Sequence, residues 1–429
     1  MSVSDTPPAI APTPTERLIS LDAYRGFVML LMVSEGFEIG HIATHHEHSP
    51  FWQFLNYQFS HVAWTGCSLW DLIQPSFMFI VGVAMPYSYA ARQGRGDSGF
   101  STTLHVLWRA LALVLLGVFL RSNGREMTNW TFEDVLTQIG LAYPFVYLLL
   151  GRRMSLQFLA FFAVLIGYWL LFALWPLPTT DPVSLGYPAD WSQLQGFAAH
   201  WNRHLNPANY ADHWFLNLFP RKEAFLFNGG GYQTLNFVPS IATILAGVLA
   251  GEALRRSVRL GKTAAQFVLV ALVCLLVGFL LDPGLWPAAL QNTSYTVTAV
   301  AGYPAYLHIW PLELPDWGVA PVVKKIWSPG WVVFSTGWTL LLLSAFLLVV
   351  DVARWRRWAF PLIVVGMNSL AMYVMAQLLR GWVSGTYETH VGQGIFAGQY
   401  GPTIESIVVL LTLWLVCLWL YRRRIFIRL

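Results

Sequence analysis

Apolar residues come in blocks along this chain. Ten runs of mostly apolar residues, each about 20 long as a helix needs to cross a bilayer, fall near 21–40, 68–91, 102–120, 133–150, 155–176, 234–254, 263–282, 331–350, 358–379 and 404–421. Short links alternate with longer polar and aromatic segments, roughly 41–67, 177–233 and 283–330. The pattern predicts an all-α polytopic membrane protein of about ten transmembrane helices over residues 17–429. Residues 1–16, "MSVSDTPPAIAPTPTE", are rich in Pro, Ser and Thr and read as a disordered tail; no small-residue cleavage site follows the first run, so that helix is expected to be retained.

Composition supports the class: of 429 residues 56% are hydrophobic and 11% charged, with a mean hydropathy of +0.51. Charge adds direction. With the amino terminus in the cytoplasm, the links "RQGR", "GRRM", "LRRSVRLGK" and "ARWRRW" and the ending "YRRRIFIRL" all fall inside, and with them most of the 26 lysines and arginines. Both termini are therefore expected in the cytoplasm. Histidine runs the other way, since every one except His105 falls on the outer side. Arginines inside suit a phosphorylated cytosolic ligand, while imidazoles and aromatic loops outside suit either a polar, sugar-like substrate or plain membrane-surface structure. Cys67, Cys274 and Cys417 show neither disulfide nor metal spacing. "HIATHHEH" lacks HExxH spacing, and no metal is expected. No inverted repeat of the secondary-transporter kind is visible.

Ionisable residues inside spans cost about 2.5 to 3.5 kcal/mol each and call for a partner or a role. Asp22 and Arg25 lie three apart on one helix face, with Ser20 placed to cap; they read either as an ion pair anchoring the helix or as a phosphate site in which Asp22 orients Arg25. Glu35 lies about 15 Å further along the axis, with Glu38 on the same face. Either is a proton acceptor or a hydrated group at the outer mouth. Asp71 falls in the first turn of the second span, where the helix dipole favours a negative charge, with Gln74 one turn on and Pro75 loosening the backbone. His61 precedes that helix in a loop: a surface histidine, or a base whose tautomer Asp71 holds. "FNGGGYQT" matches no phosphate-binding fingerprint and reads as a turn, and Gly247 and Gly251 read as helix packing. "NWT" at Asn129 and "NTS" at Asn292 are sequons.

Six motifs in order, "RLISLDAYRGFVMLLMV", "FSHVAWTGCSLWDLIQPSFMFIVG", "DVLTQIGLAY", "TLNFVPSIATILAGVLAGEALR", "KKIWSPGWVVFSTG" and "GMNSLAMYVMAQLL", and the "YRRRIFIRL" ending, resemble the heparan-alpha-glucosaminide N-acetyltransferase family, its bacterial members above all. The resemblance implies transfer of an acetyl group from cytosolic acetyl-CoA to the amine of a terminal glucosamine across the membrane. On this resemblance His61 holds the place of the active histidine, Asp71 that of the aspartate after it, and Asn368 that of an asparagine lining the acyl site. This chain departs from the family at three places. Gly36, beside Glu35, stands where an asparagine is usual, Gln138 where an arginine is usual, and "FNGGG" where "FDPEG" is usual.

The expected function is thus a transmembrane acyltransferase, in the inner membrane if the source is bacterial. His61, Asp71, Glu35 and Asn368 are its expected catalytic groups, Glu35 standing in for the missing asparagine. Arg25, Asp22, Gln138 and Gln74 are expected to bind acetyl-CoA, while Lys324 and Lys325 are assigned to acceptor binding or loop structure. Acetyl-CoA, an extracytoplasmic amino sugar or glycan, the lipid bilayer and a second copy of the chain are the expected partners; nucleic acid is not. The alternative is a non-catalytic transporter or glycan-export partner of the same fold.

Overall fold

A computed structural model describes residues 18–189, 194–285 and 319–427. The tail over 1–16, the "NTS" at Asn292 and most of the 283–330 segment lie outside the described residues. Those residues form fourteen α-helices and no strand beyond one antiparallel bridge, Thr65 to Val323.

Each of the ten expected runs coincides with a helix. Six helices are long and apolar enough to cross a membrane by themselves. They are α5 (Gly99–Ser122), α7 (Met154–Ala173), α9 (Phe237–Arg256), which a short turn over 234–236 extends, α10 (Leu260–Leu281), α11 (Pro329–Phe346) with a π-helical end (Leu347–Val352), and α14 (Gly401–Arg422). Two further runs are broken. α1 (Ile19–Val33) bends by 44° into the segment that holds α2 (Ile39–Thr44), and α12 (Phe360–Met367) meets α13 (Ser369–Val391) at 81°. Counting each broken pair as one span gives eight where about ten were expected. The other two are α6 (Val135–Leu149), which is short, and α4 (Ile73–Gly94), whose Gln74, Ser76, Tyr87 and Arg92 dilute its apolar character. Because its middle is shielded by neighbouring helices, with Met78, Phe79, Ile80 and Val83 at most 1% exposed, α4 has little need of a lipid-compatible surface.

The bundle closes on glycines. A Cβ on Gly82 of α4 would lie 1.9 Å from the Ile244 carbonyl oxygen of α9, and one on Gly247 would lie 2.1 Å from that of Phe79. Gly251 meets Val83 in the same way, so Gly247 and Gly251 do pack helices as their spacing predicts. Gly26 of α1 and Gly366 of α12 make an equally close pair of contacts, to Leu362 and Asp22 backbone oxygens.

The expected Ser20 cap is not made. Its hydroxyl is buried without a partner, and the Ser20 N–H donates instead to Asp351 at 3.2 Å, a carboxylate brought in by the π-helical end of α11. Three helices were also missed by the search for long apolar blocks, because they are short and lie in the outer segments: α2, α3 (Pro50–Gln58) and α8 (Pro207–Leu216).

Candidate active site

Two loops that are distant in sequence build the site. The first runs from Phe59 to the short turn Trp70–Leu72 that opens α4; the second, 319–328, leads into α11. The second loop is tied down hard. The Val322 N–H donates to Asp282 at 2.7 Å, the Val323 N–H donates to the Ser328 hydroxyl at 3.0 Å, and Trp327, buried with a φ of 47°, donates its indole N–H to Thr243. Its residue Val322 then receives the Gly66 N–H at 3.0 Å, next to the Thr65–Val323 bridge. That seam carries Lys324 under the first loop.

There His61, Asp71 and Lys324 meet. The Asp71 Oδ1 lies 2.7 Å from His61 Nδ1 and 3.3 Å from Lys324 Nζ, and Lys324 Nζ lies 3.1 Å from His61 Nδ1. The other oxygen, Oδ2, accepts the N–H groups of Val62 and Ser68, both at 3.2 Å, with the Ser68 hydroxyl at 2.9 Å. A carboxylate held by so many donors stays an acceptor, so His61 donates through Nδ1 and its Nε2 keeps the lone pair. Asp71 and Lys324 are buried, but the His61 side chain is 43% exposed. Burial pulls its pKa below the ordinary histidine value; the Asp71 hydrogen bond opposes this, and the charges of Lys324 and Lys325 add to the lowering. The Lys324 ammonium is likewise pulled down by burial and held up by Asp71. A neutral imidazole with a free Nε2 is a general base or a nucleophile in waiting.

Lys324 is the member that sequence reasoning assigned elsewhere. Its signal was weak, since "KKIWSPG" looks like a pair of interfacial lysines, and only one of them turns inward. Lys325 donates to the Ala63 carbonyl at 2.9 Å and lies 5.8 Å from the Tyr232 ring; Arg203 donates to the same carbonyl and stacks over Trp64. Gly231 of the "FNGGG" stretch is in the left-handed region with a φ of 81°, in an Asn228-centred turn whose Cα faces the Trp64 ring. The turn expected there is present.

The remaining predicted residues are dispersed. Glu35 pairs with Arg380 of α13 at 3.0 Å, at the break of α1 where Glu35, Gly36, Phe37 and Glu38 all have positive φ. Gly36 nonetheless touches the first loop, since a Cβ there would lie 2.9 Å from the Phe59 carbonyl oxygen. Its φ of 67° is a conformation that glycine and, next best, asparagine tolerate. Gln138 is fully buried and donates to the carbonyls of Phe132 and Thr234, tying α6 to the turn before α9. Gln74 sits half-buried at the start of α4. Asp22 and Arg25 pair at 3.7 Å at the far end of α1. Asn368, at the 81° break, holds the carboxyl-terminal segment, donating to the Ile425 carbonyl and accepting the Ile427 N–H, both at 3.1 Å. His46 stacks on Trp52 and meets Gln399, and no group of three or more metal-ligating side chains gathers among the described residues.

Residues 17–195 match the family model described as heparan-alpha-glucosaminide N-acetyltransferase, catalytic. A heparan-alpha-glucosaminide N-acetyltransferase of Homo sapiens is 24% identical over 448 aligned positions, covering 96% of this chain and 59% of the relative. One of Mus musculus is 25% identical over 145 positions, covering 33% of this chain and 20% of the relative. The chain thus spans about three fifths of the human relative's length. The resemblance read from the six motifs is borne out, and it supports a transmembrane acetyltransferase family. His61 and Asp71 lie inside the matched segment, while Lys324 and Asn368 lie beyond it.

Proposed function

We propose that a chain so similar to heparan-alpha-glucosaminide N-acetyltransferases is itself an acetyl-CoA-dependent acetyltransferase, working across the membrane on an amino sugar or glycan. The observation that carries this reading is the His61–Asp71–Lys324 cluster, a half-exposed imidazole over two buried charges at the joint of two loops. The arginine-rich ends of the helices face the cytosol, where Arg25 and its neighbours suit the phosphates of acetyl-CoA, and the His61 end faces the acceptor.

The neutral Nε2 of His61 attacks the thioester carbonyl carbon; the C–S bond breaks, CoA leaves as its thiolate, and the acetyl group resides on the now cationic imidazole. The acceptor amine then attacks the same carbon, the C–N bond to His61 breaks, and the amine proton passes to the freed Nε2 and from there to solvent, which balances the thiolate released in the first step and restores the neutral imidazole. Asp71 keeps Nδ1 protonated throughout and stabilises the cationic imidazole. Lys324 neutralises Asp71 in the resting state, which keeps the imidazole from holding a second proton. Direct transfer with His61 as general base uses the same geometry.

Substituting His61→Ala should abolish transfer from labelled acetyl-CoA while the protein still folds and unfolds cooperatively. Full activity in that variant would remove the assignment. One observation favours the non-catalytic alternative: broken helices commonly form substrate sites in transporters, and this bundle has two. Absence of CoA binding and of turnover with any amino sugar in the unaltered protein would decide for it.

A further inference from the structure

Arg109 is the eleventh residue of α5, about 15 Å along the axis from Gly99. An arginine at that depth needs a partner. Arg380 and Arg256, also on membrane helices, each face a carboxylate at 3.0 Å, Glu35 and Glu252. Arg109 is satisfied differently. Its Nη1 donates to the Tyr143 hydroxyl of α6 at 3.1 Å, its guanidinium lies over the same ring at 4.7 Å, and its Nε is buried without an acceptor. Since the Tyr143 oxygen accepts, its O–H remains to donate.

The surroundings are cationic. His105, one turn nearer the start of α5, lies within electrostatic reach of Arg92, Arg109 and Asp97. That carboxylate is engaged, with Asp97 3.1 Å from Arg92 and 3.6 Å from Arg95. The Thr103 and Tyr147 hydroxyls, 3.3 Å apart, extend the polar strip toward the helix end, and Tyr89 of α4 packs edge-on against Tyr147. On the other faces of α5, Leu104, Leu107, Trp108 and Leu111 are all about half exposed or more. Helical side chains lean toward the amino terminus, so Arg109 leans toward the headgroup level at the Gly99 end.

We propose that the groove between the end of α4 and the α5–α6 pair binds the phosphate of an anionic phospholipid, with Arg109 as its central cation and His105 and Tyr143 as further donors. Basic clefts between membrane helices recognise such headgroups. A free phosphate offers the same oxygens, but α5 is long and apolar enough to cross a membrane, and its Gly99 end then meets the headgroup layer, where phospholipid phosphates are concentrated. The structure therefore favours the lipid. The site is separate from the His61 cluster and does not rest on the catalytic reading.

The test is native mass spectrometry of the full chain released from micelles doped with phosphatidylglycerol or phosphatidylcholine. Phosphatidylglycerol should be retained in preference, and Arg109→Gln should lower its retention about fivefold, the effect of one arginine at an anionic surface. His105→Gln should lower it less. Phosphatidylglycerol, and not inorganic phosphate, should raise the unfolding temperature. Unchanged retention in Arg109→Gln, or in His105→Gln if the first variant fails to fold, overturns the proposal. Stabilisation by inorganic phosphate without lipid retention overturns the choice of ligand.

Discussion

Replacing Lys324 with methionine isolates the part of the site that only the folded chain assembles. The change removes a buried cation 3.3 Å from Asp71 and 3.1 Å from His61 while keeping an unbranched apolar stem. Breaking a buried ion pair from one side costs about 3 to 5 kcal/mol when the other charge is left uncompensated. Here Asp71 keeps the His61, Val62 and Ser68 N–H donors, and removal of Lys324 also ends its own burial as a charge. The loss of stability should therefore sit at the lower end, about 3 kcal/mol.

The effect on chemistry has a definite sign. In the unaltered protein the His61 pKa is lowered by burial and by the lysine charges, so its contribution to stability is present above the unfolded value and is lost as pH falls through the folded one. Without Lys324 one lowering cause is gone and the Asp71 hydrogen bond raises the pKa unopposed by that charge. The acid limb of the pH–rate profile moves to higher pH, and each 1.4 kcal/mol of that displacement is about a tenfold loss of rate on the limb. Acid-side destabilisation shrinks at the same time. Lys324→Arg, which keeps the charge, should restore most of the profile. The assay is kcat/KM for acetyl transfer across pH, alongside thermal unfolding at the same pH values. An acid limb that stays in place or moves to lower pH in Lys324→Met refutes the reasoning, even if total activity falls.

Two further outcomes follow from packing. Gly82→Ala places a Cβ 1.9 Å from the Ile244 carbonyl oxygen, forcing α4 and α9 apart, and should cost about 3 kcal/mol and lower the unfolding temperature in detergent; an unchanged temperature contradicts the close approach. Asn368→Leu removes both hydrogen bonds to the terminal segment, each worth about 0.5 to 1.5 kcal/mol, and should speed tryptic cleavage after Arg423 and Arg424 with acetyl transfer retained. A fall in kcat of about 100-fold or more, the effect of losing an oxyanion donor, with the segment still protected, would instead place Asn368 at the acyl group.

Much of this was legible in the residue order. Apolar blocks announce membrane helices because burial in lipid or protein depends on local composition, and each of the ten blocks coincides with a helix. Span number was less legible. A break such as that at Gly36 or Asn368 depends on what the neighbouring helix supplies, and α4 is less apolar than a lone span because α9 and other helices cover it. His61 and Asp71 were legible as a pair because ten residues separate them and a helix start lies between. Lys324 was not, since it lies 263 residues from His61 and nothing local distinguishes it from Lys325. Nor was the dispersal of Glu35, Gln138 and Asn368, whose partners Arg380, Thr234 and Ile425 all come from other elements. Sequence alone determined the membrane class and the histidine–aspartate pair; the meeting of two loops at the Thr65–Val323 bridge decided which cation stands beside them. The physical reason is that an apolar block carries its signal in its own residues, whereas the field around an imidazole is the sum of charges that the whole chain must fold to bring within a few ångströms.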